Sequence, residues 1–220
     1  MKRQSGPFMT IIFACAAALA AMIAPLHAPL AQEDPIHLVA LGDSLTAGYG
    51  LPQDAAFPEV LERALKARGH NVEITNAGVS GDTASGGLER LEWSVPDDTD
   101  GVILELGAND MLRGIGPAVT RKAIDTIVQR LKERNIPVML AGMYASRNLG
   151  PEYTAKFDSI YPDIAQKHDL VLYPFFLEGV VGNPALNLPD GIHPTAEGVE
   201  KIVERILPTV ETFLARISQR

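Results

Sequence analysis

Five short apolar runs, separated by stretches with helical spacing, constrain the fold of this 220-residue chain more than any other feature. Residues 36–41 are apolar with no helical period, as expected of a parallel strand covered on both faces. Residues 55–68 carry Val60, Leu61, Ala64 and Leu65 at helical spacing, with Gly69 as the stop. A strand at 71–76, a short helix at 83–91 and a nearly all-apolar strand at 101–106 follow. Pro117 opens a longer helix with Val119, Ala123, Ile124, Ile127, Val128 and Leu131 on one stripe. Residues 136–141 read as a fourth strand, 151–168 as a helix interrupted or bent at Pro162, and 170–173 as a short fifth strand. The last helix carries Val199, Ile202, Val203, Ile206, Val210, Phe213, Leu214 and Ile217, with Pro208 placed to bend it. The alternation predicts an α/β fold: a five-stranded parallel sheet with helices on both faces, where right-handed crossovers put them. No repeat or linker divides it.

Residues 1–31 read differently. A basic start, Met1-Lys2-Arg3, precedes an apolar stretch from 8 to 24 and then small residues, the pattern of a secretory signal. The expected cut follows Ala28 or Ala31, leaving 32–220 as a single domain in the periplasm or outside the cell; an uncleaved anchor is the alternative. Cys15, the only cysteine, lies inside this segment, so the mature chain has no disulfide, thiol nucleophile or cysteine metal site. Without Lys2 and Arg3, 17 basic face 27 acidic residues, a net charge of −10. That balance disfavours nucleic acid and anionic membrane surfaces as partners.

In a doubly wound sheet the loops after successive strands crowd onto one edge. The first strand is followed by Gly42-Asp43-Ser44-Leu45, the second by Asn76-Ala77-Gly78-Val79-Ser80-Gly81-Asp82-Thr83, and the third by Gly107-Ala108-Asn109-Asp110. Asp190-Gly191-Ile192-His193-Pro194 precedes the last helix. Acyl transfer needs a nucleophile, a base, a group that orients the base, and donors for an oxyanion. Ser44 suits the first role, His193 the second and Asp190, three residues earlier, the third. Candidate oxyanion donors are the backbone N–H of Ser44, that of Gly81 and the side-chain amide of Asn109. Activity is then expected to rise with pH as His193 loses its proton. Asp43 and Asp110 read as acceptors that brace their loops.

Taken together, Gly42-Asp43-Ser44-Leu45, Gly81, Gly107-x-Asn109-Asp110 and Asp190-x-x-His193 resemble the four blocks of the GDSL, or SGNH, hydrolases. The likeness runs from about residue 36 to the last helix and is nearest to the secreted arylesterase, lysophospholipase and acyl thioesterase branch. It implies a flavodoxin-like three-layer sandwich and the catalytic roles already argued. Both Gly78 and Gly81 stand in the second block; Ser80-Gly81-Asp82-Thr83 fits the family better, so Gly81 is taken as the donor and Gly78 as a turn residue.

Other chemistries find less support. There is no G-x-S-x-G elbow, no phosphate-binding G-x-x-x-x-G-K-[ST] loop and no H-E-x-x-H. No metal or other cofactor is expected. His37, His70 and His168 have no Asp three residues before them and read as structural. Residues 143–150 and 175–189 are the expected cleft walls, with Phe175 and Phe176 either lining the cleft or packing in the core. The expected partner is a small acyl ester or thioester. A carbohydrate O-deacetylase with the same residues and a non-catalytic flavodoxin-like binding protein are the alternatives.

Overall fold

The computed structural model describes residues 1–2 and 34–219. The secretory segment expected over 1–31 thus lies, apart from Met1 and Lys2, outside the described residues. From residue 34 onward the chain alternates as its apolar runs predict. Strand β1 (Ile36–Gly42) leads through α1 (Ser44–Ala47), a 3₁₀ turn and α2 (Phe57–Ala67) to β2 (Val72–Gly78). Helices α3 (Ala84–Glu89) and α4 (Leu91–Ser94) precede β3 (Gly101–Glu105). Then come α5 (Ala108–Leu112), α6 (Pro117–Glu133), β4 (Val138–Ala141), α7 (Pro151–Asp158), α8 (Ile160–His168), β5 (Val171–Tyr173) and α9 (Ala196–Ile217).

All neighbouring strands pair in parallel, in the order β2-β1-β3-β4-β5. This is the flavodoxin-like order, in which the chain reverses its winding direction between β1 and β3 and opens a crevice at their carboxyl ends. Strands β3 and β4 are buried at every residue, whereas edge strand β2 alternates, with Glu73 and Thr75 turned to solvent. Helix α2 packs beside α9 in one layer, while α3 and α8 each neighbour α6 in the other. The α9 stripe is buried from Val199 to Leu214. Burying each of its large side chains contributes on the order of 1.5–3 kcal/mol.

Two prolines act differently from one another. The helix expected over 151–168, interrupted or bent at Pro162, is two helices, and the break falls at Ser159, three residues before that proline. A proline ring clashes with the carbonyl four residues back and lacks the N–H that would bond to it. The chain therefore restarts at Ile160 and places Pro162 in the first turn of α8, where the missing donor costs nothing. Helix α9 instead continues through Pro208 to Ile217. No helix among the described residues is long and apolar enough to cross a membrane.

Candidate active site

Ser44 sits where strand turns abruptly into helix. β1 ends at Gly42, in register with Gly78 on one side and Glu105 on the other. Asp43 then caps α1, its Oδ1 accepting the Leu45 N–H at 3.0 Å. Such a tight reversal leaves no room for side chains beneath it. A Cβ on Gly42 would run into the Thr46 side chain, and one on Gly78 into the backbone of Ala47. Gly78 is thus the last residue of β2 and permits close approach; it is not the turn residue the sequence suggests. The left-handed residue of that loop is Gly81, with φ of +85°.

His193 comes from the loop before α9 and meets Ser44 across 149 residues of sequence. Its Nε2 lies 3.0 Å from Ser44 Oγ and its Nδ1 2.7 Å from Asp190 Oδ2. Asp190 Oδ1 also accepts the backbone N–H groups of Ile192 at 2.9 Å and His193 at 3.0 Å. Those two backbone donors, with the ring N–H behind them, hold the Asp190 carboxyl down at about 2. A carboxylate that only accepts requires the proton on Nδ1, which leaves Nε2 free to accept from the Ser44 hydroxyl. The loop is tied to the body by Leu188 N–H donating to His193 O at 2.7 Å and by the Asn187–Pro194 bridge.

The remaining candidates gather at the same edge. Asn109 Nδ2 donates one hydrogen to Asp43 Oδ2 at 3.0 Å, which fixes the amide plane and leaves its second hydrogen available. Ser44 opens α1, where an N–H has no intrahelical acceptor. Gly81 N–H donates to no acceptor among the described residues, while its carbonyl is held by Arg113 at 2.6 Å. Asp110 braces the loops as expected, accepting from Ala84 N–H at 2.8 Å and the Thr120 hydroxyl at 2.9 Å.

Beneath Ser44, beside Asp43, lie two groups that sequence reasoning passed over, Glu105 and Arg90. Glu105, the one charged residue of β3, is 1% exposed, and its Oε2 accepts from the Thr46 hydroxyl at 2.8 Å. Burial pushes its carboxyl well above the ordinary range, and the nearby Asp43 charge pushes the same way. Asp43 itself is pushed up to about 6 by burial, against the opposing effect of its Leu45 and Asn109 donors. Arg90 staples the strand ends: it donates to Gly42 O at 2.8 Å, Ala77 O at 2.9 Å and Asp82 Oδ2 at 2.6 Å. A lone acid ending an apolar strand, and a lone arginine closing a short buried helix, were the available signals.

The other described histidines have acid partners too: His37 lies 3.5 Å from Glu73 Oε2, His70 3.3 Å from Glu211 Oε1 and His168 2.7 Å from Asp125 Oδ1, supplied by α6. His168 lies at the end of α8, ahead of β5 and so at the opposite edge of the sheet. A cavity of about 340 Å³ is lined by Met111, Met143, Tyr144, Phe175, Leu177 and Val181. Met111 stands two residues beyond Asn109 on α5. Phe175 stacks on Tyr144 at 4.8 Å, while Phe176 is fully buried against Phe57 at 4.9 Å, so the two adjacent phenylalanines divide between wall and core. No residue of the Ser44 cluster lines this cavity, nor the hollows of about 420 Å³ between Lys132 and Arg216 and about 480 Å³ around Gln53 and Arg63.

Residues 40–201 match the GDSL-like lipase/acylhydrolase family, a span that contains all four blocks. The chain belongs to that family. This GDSL hydrolase is 38% identical to an arylesterase from Vibrio mimicus over 168 residues, covering 76% of the chain and 84% of the relative. It is 37% identical to thioesterase 1/protease 1/lysophospholipase L1 of Escherichia coli K12 over 161 residues, covering 73% of the chain and 76% of the relative. The crystal structure of AlinE4, an SGNH-hydrolase family esterase, superposes with a TM-score of 0.69 at 46% identity, covering 82% of this chain and 97% of that one. The five-stranded sandwich is therefore the SGNH-hydrolase fold.

Proposed function

We propose that this carboxylic ester hydrolase cleaves aryl esters, short- to medium-chain acyl esters, lysophospholipid esters and acyl thioesters through an acyl-enzyme on Ser44. The observation that carries the mechanism is the unbroken contact from Ser44 Oγ through His193 to Asp190, at 3.0 and 2.7 Å. Ser44 Oγ attacks the carbonyl carbon while its proton passes to His193 Nε2, and ionised Asp190 steadies the imidazolium. The oxyanion is met by the N–H groups of Ser44 and Gly81 and the free amide hydrogen of Asn109. Collapse expels the alcohol or thiol, which takes the proton from Nε2. Water then adds to the acyl carbon as Nε2 accepts its proton, and Ser44 leaves with that proton restored.

The substrate side rests on apolar surface around this edge. Tyr49, Val79, Leu112, Tyr144, Val181 and Ile192 are exposed, and all stand on segments that follow the carboxyl ends of strands. With the Met111–Tyr144–Phe175 cavity they suit acyl chains and aryl groups better than sugars. The relatives' names, arylesterase and thioesterase/lysophospholipase, support the same range. A fluorophosphonate is expected to label Ser44 stoichiometrically, and no labelling of the folded protein would remove the mechanism. Across p-nitrophenyl esters of increasing chain length, turnover should peak at short to medium acyl groups. Clear preference for acetylated glycans would instead replace the lipid reading with O-deacetylation.

The N-terminal pattern supports export to the periplasm or beyond, with the mature chain starting after Ala28 or Ala31. Intact-mass measurement of enzyme from an exporting host should find one of these termini. The mature enzyme, lacking Cys15, should keep full activity under iodoacetamide; retention of residues 1–31 or loss of activity to the alkylating agent would contradict this.

A further inference from the structure

We propose that Tyr49 is a positioning residue for His193, its π face stabilising the imidazolium that forms when Ser44 gives up its proton. The inference rests on the Ser44–His193–Asp190 reading. The ring centroids of Tyr49 and His193 lie 4.4 Å apart with their planes tilted by 36°. Asp190 occupies Nδ1 and Ser44 occupies Nε2, so Tyr49 takes the flank of the ring that these two leave open. At 52% exposure Tyr49 is no core filler.

The backbone holds it there. Tyr49 N–H donates to Ser44 O at 3.1 Å, and left-handed Gly48 and Gly50, with φ of +77° and +76°, fold the segment back towards His193. A Cβ on Gly50 would come within 2.8 Å of Leu188 Cδ1, the residue whose N–H holds the His193 carbonyl. The turn carrying Tyr49 therefore seats directly on the histidine loop. A cation within about 6 Å of an aromatic centroid is attracted by the ring quadrupole, whereas neutral imidazole gains only ordinary contact. The attraction thus grows as the proton is transferred, which is the condition for raising turnover rather than ground-state binding.

The charged groups that face His193 are Asp190 on its own loop and Asp43 at the end of β1, and Tyr49 variants change neither. Tyr49→Leu keeps apolar cover over the imidazole and removes the quadrupole; Tyr49→Phe keeps both. Leucine should lower kcat about 2- to 5-fold with KM unchanged. Because imidazolium is then less favoured, the acid limb of kcat/KM should move to lower pH by about 0.4–0.7 unit. Titration of the His193 ring by NMR should move in the same direction, and phenylalanine should behave as wild type in all three measurements. A leucine variant with the wild-type acid limb and kcat would overturn the proposal. So would a phenylalanine variant as impaired as leucine, since the role would then lie with the hydroxyl. Failure of the underlying triad would show separately, as turnover surviving Ser44→Ala.

Discussion

Ser44→Ala is expected to lower kcat by roughly 10⁴–10⁶-fold while leaving KM and folding nearly unchanged. The asymmetry follows from what the hydroxyl touches. Among the described residues Ser44 Oγ has one hydrogen-bond partner, His193 Nε2 at 3.0 Å, and the residue opens α1 without capping it; the cap is Asp43. Removing the hydroxyl therefore strips no buried donor of its acceptor and disturbs no turn. His193 stays fixed by Asp190, and Asn109 by Asp43, so the proposed oxyanion donors remain to give residual catalysis over water. The check is steady-state kinetics on a p-nitrophenyl ester beside a thermal melt. A kcat within tenfold of wild type would remove Ser44 from the chemistry. A melt lowered by more than about 5 °C would show instead that the hydroxyl supports the fold, since 1 kcal/mol shifts a domain of this size by about 2–4 °C.

The reason so much of this arrangement can be read from residue order is physical. A doubly wound sheet sends every strand-to-helix loop to one edge, so Ser44, Gly81 and Asn109 become neighbours once five buried strands are recognised. Asp190 and His193 are legible because three residues of loop suffice for a carboxylate to reach back to its own imidazole. What stayed hidden depends on contacts between distant segments. His168 finds Asp125 on another helix, 43 residues away, where a search for an acid three positions earlier cannot look. Gly78 reads as a turn former until Ala47 is seen lying against it. The interruption expected at Pro162 was legible; only its place, three residues earlier at Ser159, needed the proline sterics that act one turn upstream. The charge on Glu105 vanishes into an apolar run, and only its register beside Gly42 reveals that it lies under the Ser44 turn.

The pair Asp43–Asn109 should show that the fold gives up stability to aim an oxyanion donor. Asn109→Ala removes a donor aimed at the developing charge and is expected to cost about 10²–10³ in kcat, with ester binding less affected. Asp43→Asn should lose a similar factor without touching that donor directly. The new side chain can still accept from Leu45 N–H through its carbonyl, but its NH₂ then faces the NH₂ of Asn109, donor against donor. Rotating the Asn109 amide relieves the clash and turns an acceptor to where a donor is needed. Because both substitutions remove one function, the double variant should be no slower than the worse single one; full multiplication of the two losses would separate the residues. Stability should move the other way. Burial raises Asp43 from 3.8 to about 6, so the folded state holds a proton that the unfolded chain has already lost, and wild type loses stability as pH climbs between those values. The two-unit shift corresponds to about 3 kcal/mol, net of the Leu45 and Asn109 hydrogen bonds that oppose the cost of burial. The melting temperature of Asp43→Asn should therefore gain on wild type from pH 4 to 6, and the difference between the two should stay constant above it. A difference that is flat across that window, or that narrows, would mean that Asp43 is not held at this site against the cost of burying its charge.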